Sequence, residues 1–428
     1  MNKAIKLVFA LLVALLFAVL IFSMSGQTPM INDSKEYTVL ANNLLNNNAV
    51  YSGNLTLEKD FRLYSKRTIG YPLLLIFQNL SPIFVRIAQL LLVVLSFFIG
   101  LDVLRKLSTS KTSFIIYSIM YLLNLAFIFH CGIFLSDLFL GSIVTSAGFI
   151  FIHKRIPSFQ KVQHLSFLWG LALMIKPILL PSILLTPIVF IWFYAKQHKL
   201  YFSLYTPVFI WLLFSFINYK NTNQFEYSSI STINLSQYNA KLTIAKAYGY
   251  DSAQTFINNS NLDIPTTASE YDTYKKAATN LGMSAITENF LSYLKVHTLG
   301  AIKMIIDPGR FEIYTFFKEP TSEVSLTEML FAQNWVSLKN ALAKNPKLLL
   351  VFAILLVVSL LKLIGFMAGI KDFKKTAFML VCILYFVGVA GPVGAARFFL
   401  PVSVFYLIIA ATGWETILNF FQKGSKSQ

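Results

Sequence analysis

The chain has 428 residues, of which 56% are hydrophobic and only 13% are charged. Because soluble domains carry about 25% charged residues, this composition excludes an ordinary soluble protein and indicates an integral membrane protein. The net charge is +17. In a soluble protein this charge would suggest a nucleic-acid partner. Here much of the positive charge lies in loops that the positive-inside rule assigns to the cytoplasmic side, so we predict no nucleic-acid partner.

Continuous apolar runs predict an all-α polytopic membrane protein with about ten transmembrane helices. The first run, from Leu7 to Phe22, follows Lys3 and Lys6 and lacks a convincing small-residue cleavage site after it, which predicts an uncleaved anchor. The other predicted spans are approximately 82–104, 112–130, 135–153, 163–177, 178–195, 200–218, 347–368, 375–392 and 396–414. The segment 73–80 is too short to cross and predicts a re-entrant or interfacial helix.

Basic residues are concentrated in alternate loops, which predicts the side of the membrane that each loop faces. The predicted inner loops hold Arg105, Lys106, Lys111, Lys154, Arg155, Lys161, Lys196, Lys199, Lys371, Lys374 and Lys375. Both termini are therefore predicted to be cytoplasmic. The chain divides into an N-terminal transmembrane module (1–218) with a first outer loop (25–81), an outer region (219–346) and C-terminal transmembrane helices (347–428).

The outer region 219–346 is predicted to be mainly helical. Apolar residues recur there with helical spacing between Tyr271 and Ile306. Asp307-Pro308-Gly309 predicts the end of a helix and a turn. We expect these helices to lie along the outer membrane surface or to stand on it.

Charged and polar residues from distant parts of the chain fall at the predicted outer ends of the spans. Ionisable groups beside membrane spans are costly and are therefore candidates for function. These residues are Asp33, Lys66, Arg67, Tyr71, Asp137, Lys176 and Arg397. Their coincidence at one depth predicts a single cavity.

Each of these charged residues also has a simpler structural explanation. Asp33 and Glu36 fit the spacing of a helix capping box, and Asp137 is suited to cap the helix that it begins. Solvation at the lipid headgroups is the simpler explanation for the cations Lys66, Arg67, Lys176 and Arg397.

Five short motifs occur in a fixed order on one predicted side of the membrane. They are Asp33-Ser34 with Tyr37 and Ala41, Arg67-x-x-Gly70-Tyr71-Pro72, Ser136-Asp137, Lys176-Pro177, and Ala396-Arg397-Phe398-x-x-Pro401. They resemble motifs of the GT-C superfamily of polyprenyl-phosphate-dependent glycosyltransferases. The likeness is to the bacterial branch of protein O-mannosyltransferases, aminoarabinose transferases and lipopolysaccharide galacturonic acid transferases. It covers roughly 1–200 and, locally, 385–405.

The chain departs from this family's pattern at two places. Many members carry paired acids where this chain has Asp33-Ser34, which counts against a tightly held metal. Many also have Arg-x-Pro-Gly-Tyr-Pro, where this chain has Ile69 in place of the first proline. The resemblance implies no certain cofactor and leaves a divalent metal open.

The resemblance implies a GT-C-like fold with interfacial helices after the first span. It also implies transfer of a sugar from a polyprenyl-phosphate donor to a glycan, lipid-linked or cell-envelope acceptor on the outer face. An acceptor hydroxyl must lose a proton as it attacks, and Asp33 in the first outer loop is the candidate base. A lipid phosphate leaves as an anion that cations must stabilise. The candidate cations are Lys66, Arg67, Lys176 and Arg397. The candidates for orienting the acceptor or a basic residue are Tyr37, Tyr71 and Asp137.

Two other functions stay open on the sequence alone. A flippase or transporter of a lipid-linked saccharide also needs outer cations, but broken polar helices or charges at mid-membrane are typical of it, and few occur here. Arginine-rich outer loops are expected of a polysaccharide polymerase or ligase, whereas the region 219–346 contains a single arginine, Arg310. The predicted location is the bacterial inner (cytoplasmic) membrane.

Overall fold

The structure is a computed structural model that describes residues 3–25, 30–79, 81–189, 191, 202–260, 262–317, 335–336, 339–340 and 346–424. Within these ranges every regular element is helical and there is no strand. The predicted all-α class is therefore confirmed. The end of the predicted span 178–195 and much of 318–345 lie outside the described residues.

The α-helices are named here in chain order. They are α1 (Lys3–Met24), α2 (Asn32–Asn47), α3 (Gly70–Leu75), α4 (Pro82–Leu107), α5 (Lys111–Leu122), α6 (Leu125–Phe129), α7 (Asp137–Ile152), α8 (Ser158–Ile175), α9 (Pro177–Val189), α10 (Thr206–Thr222), α11 (Ile230–Ile233), α12 (Lys241–Tyr248), α13 (Tyr250–Asn258), α14 (Ala268–Glu288), α15 (Phe290–Ile306), α16 (Arg310–Phe317), α17 (Pro346–Gly369), α18 (Phe373–Ala390) and α19 (Leu400–Gly424). The first part of α9, Pro177–Leu185, is 3-10, and Asn234–Ala240 is a π-helix.

Five helices of the described residues are long and apolar enough to cross a membrane: α1, α4, α10 with the 3-10 turn before it, α18 and α19. The pair α5 and α6, bent by 53°, gives a sixth if its two parts form one span. Shorter apolar helices are α7, α9 and the part Ala353–Gly369 of α17. Helices thus occupy every predicted span where the structure describes it, and the total of ten stays a prediction.

Local signals set the ends of these helices, as in α4. The Ser81 hydroxyl caps α4 by accepting a hydrogen bond from the Ile83 backbone N–H at 3.4 Å. Pro82 occupies the first turn, where its missing N–H is not needed. Arg105 and Lys106 lie in the last turn, where cations interact favourably with the helix dipole.

Short helices follow the first span, as the sequence predicts. α2 buries Tyr37, Leu40 and Ala41, and this spacing places the three side chains on one face of the helix. α3 and the 3-10 turn Ile76–Asn79 occupy the predicted short segment. α2 has 16 residues and α3 has six, so neither is long enough to cross a bilayer.

The first three turns of α19 are buried in the core of the fold. Every residue from Phe399 to Ala411 is buried, as expected for a helix that is apolar on all sides. It packs against α4, α5, α7, α17 and α18. Arg397 lies just before this helix, in the 3-10 turn Ala396–Phe398. The core of the fold therefore fixes the position of a candidate site residue.

Helices of the outer region pack on the end of the bundle that holds Arg397. α14 and α15 confirm the helices predicted over 271–306, and α15 ends at the predicted turn at Asp307. A Cβ atom on Gly300 of α15 would overlap the carbonyl oxygen of Gly391. Only glycine therefore permits the close approach of this outer helix to the loop that leads to Arg397.

Cysteine labelling checks the predicted sidedness of these helices. In a variant without the two native cysteines, single cysteines at Lys59 and Asn280 should react with a membrane-impermeant maleimide in intact cells, because both lie in predicted outer regions. Cysteines at Ser108 and Phe373 should react only after the membrane is opened. Labelling of Asn280 only after permeabilisation would contradict the topology on which the candidate site depends.

Candidate active site

One cavity of about 540 Å³ is lined by residues from distant parts of the chain. Its volume lies within the roughly 300–1,000 Å³ that is typical of ligand pockets. The predicted site residues that line it are Asp33, Tyr37, Lys66, Arg67, Asp137, Lys176 and Arg397. The structure thus brings together side chains from α2, the loop after Tyr64, the start of α7, the junction of α8 and α9, and the turn before α19.

The carboxylate of Asp33 binds two arginines at once. Arg67 Nη2 donates to Oδ1 at 2.6 Å, and Arg397 Nη1 donates to Oδ2 at 2.9 Å. Burial alone would raise the pKa of Asp33, but the charges of Arg67, Arg397 and Lys176 outweigh it and lower the pKa to about 2. Asp33 is therefore ionised at neutral pH and holds together two cations that repel each other.

Helix capping does not explain Asp33 or Glu36. α2 begins at Asn32, and the residue before it makes no side-chain capping hydrogen bond. Glu36 instead accepts hydrogen bonds from Lys66 Nζ at 2.6 Å and from Arg67 Nε at 2.5 Å. Glu36 is a site residue that the sequence reasoning missed, because a capping box accounted for it.

Arg67 is the most enclosed cation of the first outer loop, with a side chain only 11% exposed. It donates to both Asp33 and Glu36, and its guanidinium carbon lies 5.2 Å from the centre of the Tyr37 ring. Burial lowers the pKa of Arg67, but Tyr37, Asp33 and Glu36 together raise it above its ordinary value. Arg67 is therefore a largely enclosed, permanently charged group and not a solvated headgroup contact.

A second ion pair joins Asp137 to Lys176. The two side chains form a short salt bridge, and the Lys176 side chain is only 14% exposed. Asp137 is the first residue of α7, and no side chain caps that helix. Phe398 lies between this pair and Arg397: its ring centre is 4.6 Å from Lys176 Nζ and 4.9 Å from the Arg397 guanidinium carbon. Neither capping nor contact with headgroups therefore explains these side chains.

Two tyrosines support the ionic groups in different ways. Tyr37 lines the cavity, and its hydroxyl lies 3.0 Å from Ser136 Oγ. Tyr71 is fully buried, donates to Gln89 Oε1 at 2.8 Å and is not part of the cavity lining. Its ring packs edge-on against that of Tyr37, with 5.2 Å between the centres. An orienting role of Tyr71 would act through Tyr37 and stays a prediction.

Gly70 allows two of the cations to approach each other. A Cβ atom on Gly70 would lie 2.6 Å from the backbone oxygen of Met174, near the end of α8. A side chain of any size would push α3 away from α8. The close packing brings the loop of Arg67, just before Gly70, beside Lys176, just after Met174.

A polar wall of the cavity comes from the outer region. Its side chains are Ser228, Ser231, Asn234, Gln237, Tyr238 and Asn239. The last four lie on the π-helix Asn234–Ala240, a rare conformation that is frequent at functional sites. Amide and hydroxyl side chains both donate and accept hydrogen bonds. This wall is therefore suited to a ligand that is rich in hydroxyl groups.

An apolar wall borders the same cavity. Its side chains are Leu135, Ile178, Leu180, Pro181, Val389 and Val393. Further along α9, Leu184 and Ile188 are 78% and 64% exposed, and such side chains on a membrane helix are suited to contact with lipid tails. The ionic groups thus lie beside an apolar helix whose far part is exposed.

Glu226 ties the first outer loop to the outer region and was not singled out from the sequence. Its carboxylate accepts hydrogen bonds from Ser65 Oγ at 2.7 Å and from the Tyr271 hydroxyl, and it pairs with Lys275 Nζ at 2.8 Å. The Ser229 backbone N–H donates to Ser65 Oγ at 3.1 Å. These bonds fix Ser65 directly before the cations of the loop. No motif surrounds Glu226, so only the fold reveals it.

No group of three or more His, Cys, Asp or Glu side chains is placed to hold a metal ion in the described part of the chain. The three acids of the cavity, Asp33, Glu36 and Asp137, are each paired with a cation. A divalent metal bound to them would have to displace those cations.

Neither a protein-family model nor a curated protein matches this chain. Among solved structures, the chain is similar to ArnT from Cupriavidus metallidurans bound to undecaprenyl phosphate, with 10% identity and a TM-score of 0.39. It is also similar to ArnT from the same organism in the apo state, with 12% identity and a TM-score of 0.38. Each match covers 95% of this chain and 77% of the other. Both TM-scores are too low to assign a shared fold or a function.

We predict that Glu226→Ala loosens the first outer loop. The substitution leaves Ser65 and Tyr271 without their shared acceptor, so the free energy of unfolding should fall by about 2–3 kcal/mol. Limited proteolysis after Arg62 should become faster. Lys276→Ala, which removes an exposed pair with Asp272 within α14, is the matched control and should change neither quantity. Equal effects of the two substitutions would show that Glu226 does not hold the loop.

Proposed function

We propose that the protein is a GT-C-type membrane glycosyltransferase. It moves a sugar from a polyprenyl-phosphate donor to a glycan, lipid-linked or cell-envelope acceptor on the outer face of the bacterial inner membrane. The observation that carries this proposal is the composition of one cavity, in which clustered cations, an apolar wall and an amide-rich wall meet. A sugar joined to a lipid through a phosphate has the three complementary parts.

The cations support a phosphate ligand most directly. Four basic side chains and three carboxylates line the cavity, which leaves one net positive charge. Arg67 and Arg397 contact opposite oxygens of a single carboxylate, so an anion of similar size can lie between them. Guanidinium groups bind phosphate with two parallel hydrogen bonds. The carboxylates hold the cations in position until the donor phosphate arrives.

The reaction follows from these groups. The acceptor O–H gives its proton to the carboxylate of Asp33 while its oxygen bonds to the anomeric carbon. The bond from that carbon to the phosphate oxygen breaks, and the polyprenyl phosphate leaves as an anion stabilised by Lys66, Arg67, Lys176 and Arg397. A donor phosphate that shares Arg67 and Arg397 also weakens their hold on Asp33. The pKa of Asp33 then rises from its low value, which makes it a better base.

The transporter alternative retains one supporting observation. Lys362 lies within α17, is buried, and has its Nζ 3.5 Å from the Leu123 carbonyl oxygen. A charge within a membrane helix is typical of transport pathways. Measurement of lipid-linked saccharide movement across vesicles by the purified protein separates the two functions, since a glycosyltransferase needs no such movement.

Incubation of the purified protein with labelled polyprenyl-phosphate sugars and candidate acceptors tests the proposed reaction. Label should move to the acceptor, and free polyprenyl phosphate should appear in equal amount. A transporter would move the intact lipid-linked saccharide across vesicles without releasing polyprenyl phosphate.

We predict that Asp33→Asn lowers sugar transfer by about 100-fold or more, the contribution typical of a general base. Donor binding should be retained or tightened, because the substitution removes an anion that competes for the arginines. Asp60→Asn is the matched control, since Asp60 pairs with Arg62 outside the cavity. Loss of donor binding in Asp33→Asn, with the transfer rate of bound donor unchanged, would make Asp33 a positioning residue and not the base.

We predict that Arg397→Lys lowers single-turnover transfer by roughly 10- to 150-fold, because a charge-assisted hydrogen bond contributes about 1.5–3 kcal/mol and lysine lacks the planar fork. Arg62→Lys, outside the cavity, is the control. The loss caused by Lys176→Ala should not add to that of Arg397→Lys in the double variant, because both residues act on one phosphate. Wild-type rates in Arg397→Lys would remove this residue from the site.

A further inference from the structure

A second cavity, of about 530 Å³, lies at the other end of the helix bundle. α18 contributes Lys375 to this cavity and Val389 to the candidate active site. At 1.5 Å per residue, these two positions are about 21 Å apart along the helix. The two cavities are therefore separate, and the second one lies on the predicted cytoplasmic side.

The lining of this inner cavity is rich in positive charge. Its charged residues are Arg105, Lys106, Lys371, Lys375 and Glu415. Four basic residues and one acid leave a net charge of three positive, and Arg105 also pairs with Asp102 outside the lining at 3.1 Å. The lining has hydroxyl and amide groups as well, but the hydroxyls of Ser108, Thr412 and Thr416 already donate within the protein. The lining therefore favours an anion chiefly through the charge of its lysines.

Glu415, the acid of the lining, is already engaged by the protein. Its Oε2 accepts hydrogen bonds from Ser108 Oγ at 2.6 Å and from Ser113 Oγ at 2.5 Å. These bonds join α19 to the segment after α4 and to the first turn of α5. They stabilise the carboxylate in this position. The net charge of the inner cavity is therefore set mainly by its cations.

The positive-inside rule accounts for basic residues in this region but not for their arrangement. Arg105 and Lys106 lie in the last turn of α4, where cations are favourable for the helix dipole. Lys374 and Lys375 lie in the first turn of α18, where the dipole disfavours cations. A helix N-terminus attracts anions instead. Of these two lysines Lys375 lines the cavity, so an anion bound there would interact favourably with Lys375 and with the helix end.

We propose that the inner cavity binds a phosphate-bearing headgroup, as carried by anionic phospholipids of the cytoplasmic leaflet. Basic pockets between membrane helices on this side recognise such headgroups. A free phosphate ion offers the same chemistry, and the test separates the two sources. The site does not depend on the proposed sugar transfer, because it uses none of the same residues.

Native mass spectrometry of delipidated protein tests this site. The protein is titrated with phosphatidylglycerol, with phosphatidylcholine of the same chain length, and with inorganic phosphate as competitor. We expect phosphatidylglycerol to bind more tightly than phosphatidylcholine. The double variant Lys106→Gln with Lys371→Gln should weaken phosphatidylglycerol binding about 25-fold, because each cation contributes about fivefold.

The matched control is the double variant Lys154→Gln with Arg155→Gln, which removes two charges from another predicted inner loop outside the cavity. Its binding should equal that of the wild type, and a thermal melt confirms that both variants fold. Complete displacement of the lipid by inorganic phosphate supports the site and identifies free phosphate as its ligand. Equal weakening in both variants, or equal binding of the two lipids, overturns the proposal.

Discussion

The hydrogen bonds of two arginines to the carboxylate of Asp33 are the interaction on which the candidate site depends. Arg67 lies 34 residues and Arg397 364 residues from Asp33 in the chain, so neither pairing is local and that of Arg397 requires the C-terminal helices. Cations brought this close repel each other unless anions separate them. Asp33, Glu36 and Asp137 supply those anions. These anions hold the cations in the arrangement that the proposed phosphate contact requires.

The supporting structure explains how such an arrangement is held beside a membrane. The buried helix α19 fixes the turn that carries Arg397, and the close contact at Gly70 brings the loop of Arg67 against the end of α8. Glu226 secures the same loop from the outer region. The four cations therefore stand on three different elements, and the cavity keeps its shape through packing of these elements and not through the ionic groups alone.

The sequence predicts the helices and the convergence of the charged residues, because apolar runs and charges at span ends are local signals. It does not reveal Glu36 or Glu226 as partners of cations. Glu36 satisfies a local pattern, the capping box, that the tertiary ion pairs override. Glu226 lies in a polar stretch without periodicity, and its partners Ser65 and Tyr271 are distant in sequence. Likewise, much of the polar wall of the cavity lies on a π-helix, and no residue pattern in the sequence predicts that conformation.

The most direct measurement is equilibrium binding of a short-chain polyprenyl phosphate to the purified protein, with the matching polyprenol as competitor. Two charge-assisted hydrogen bonds to the phosphate should make the phosphate form bind about 100-fold or more tightly than the alcohol. The Arg397→Lys variant should lose most of that difference. Equal affinity for the two lipids would contradict the central claim that the cations of this cavity recognise a lipid phosphate.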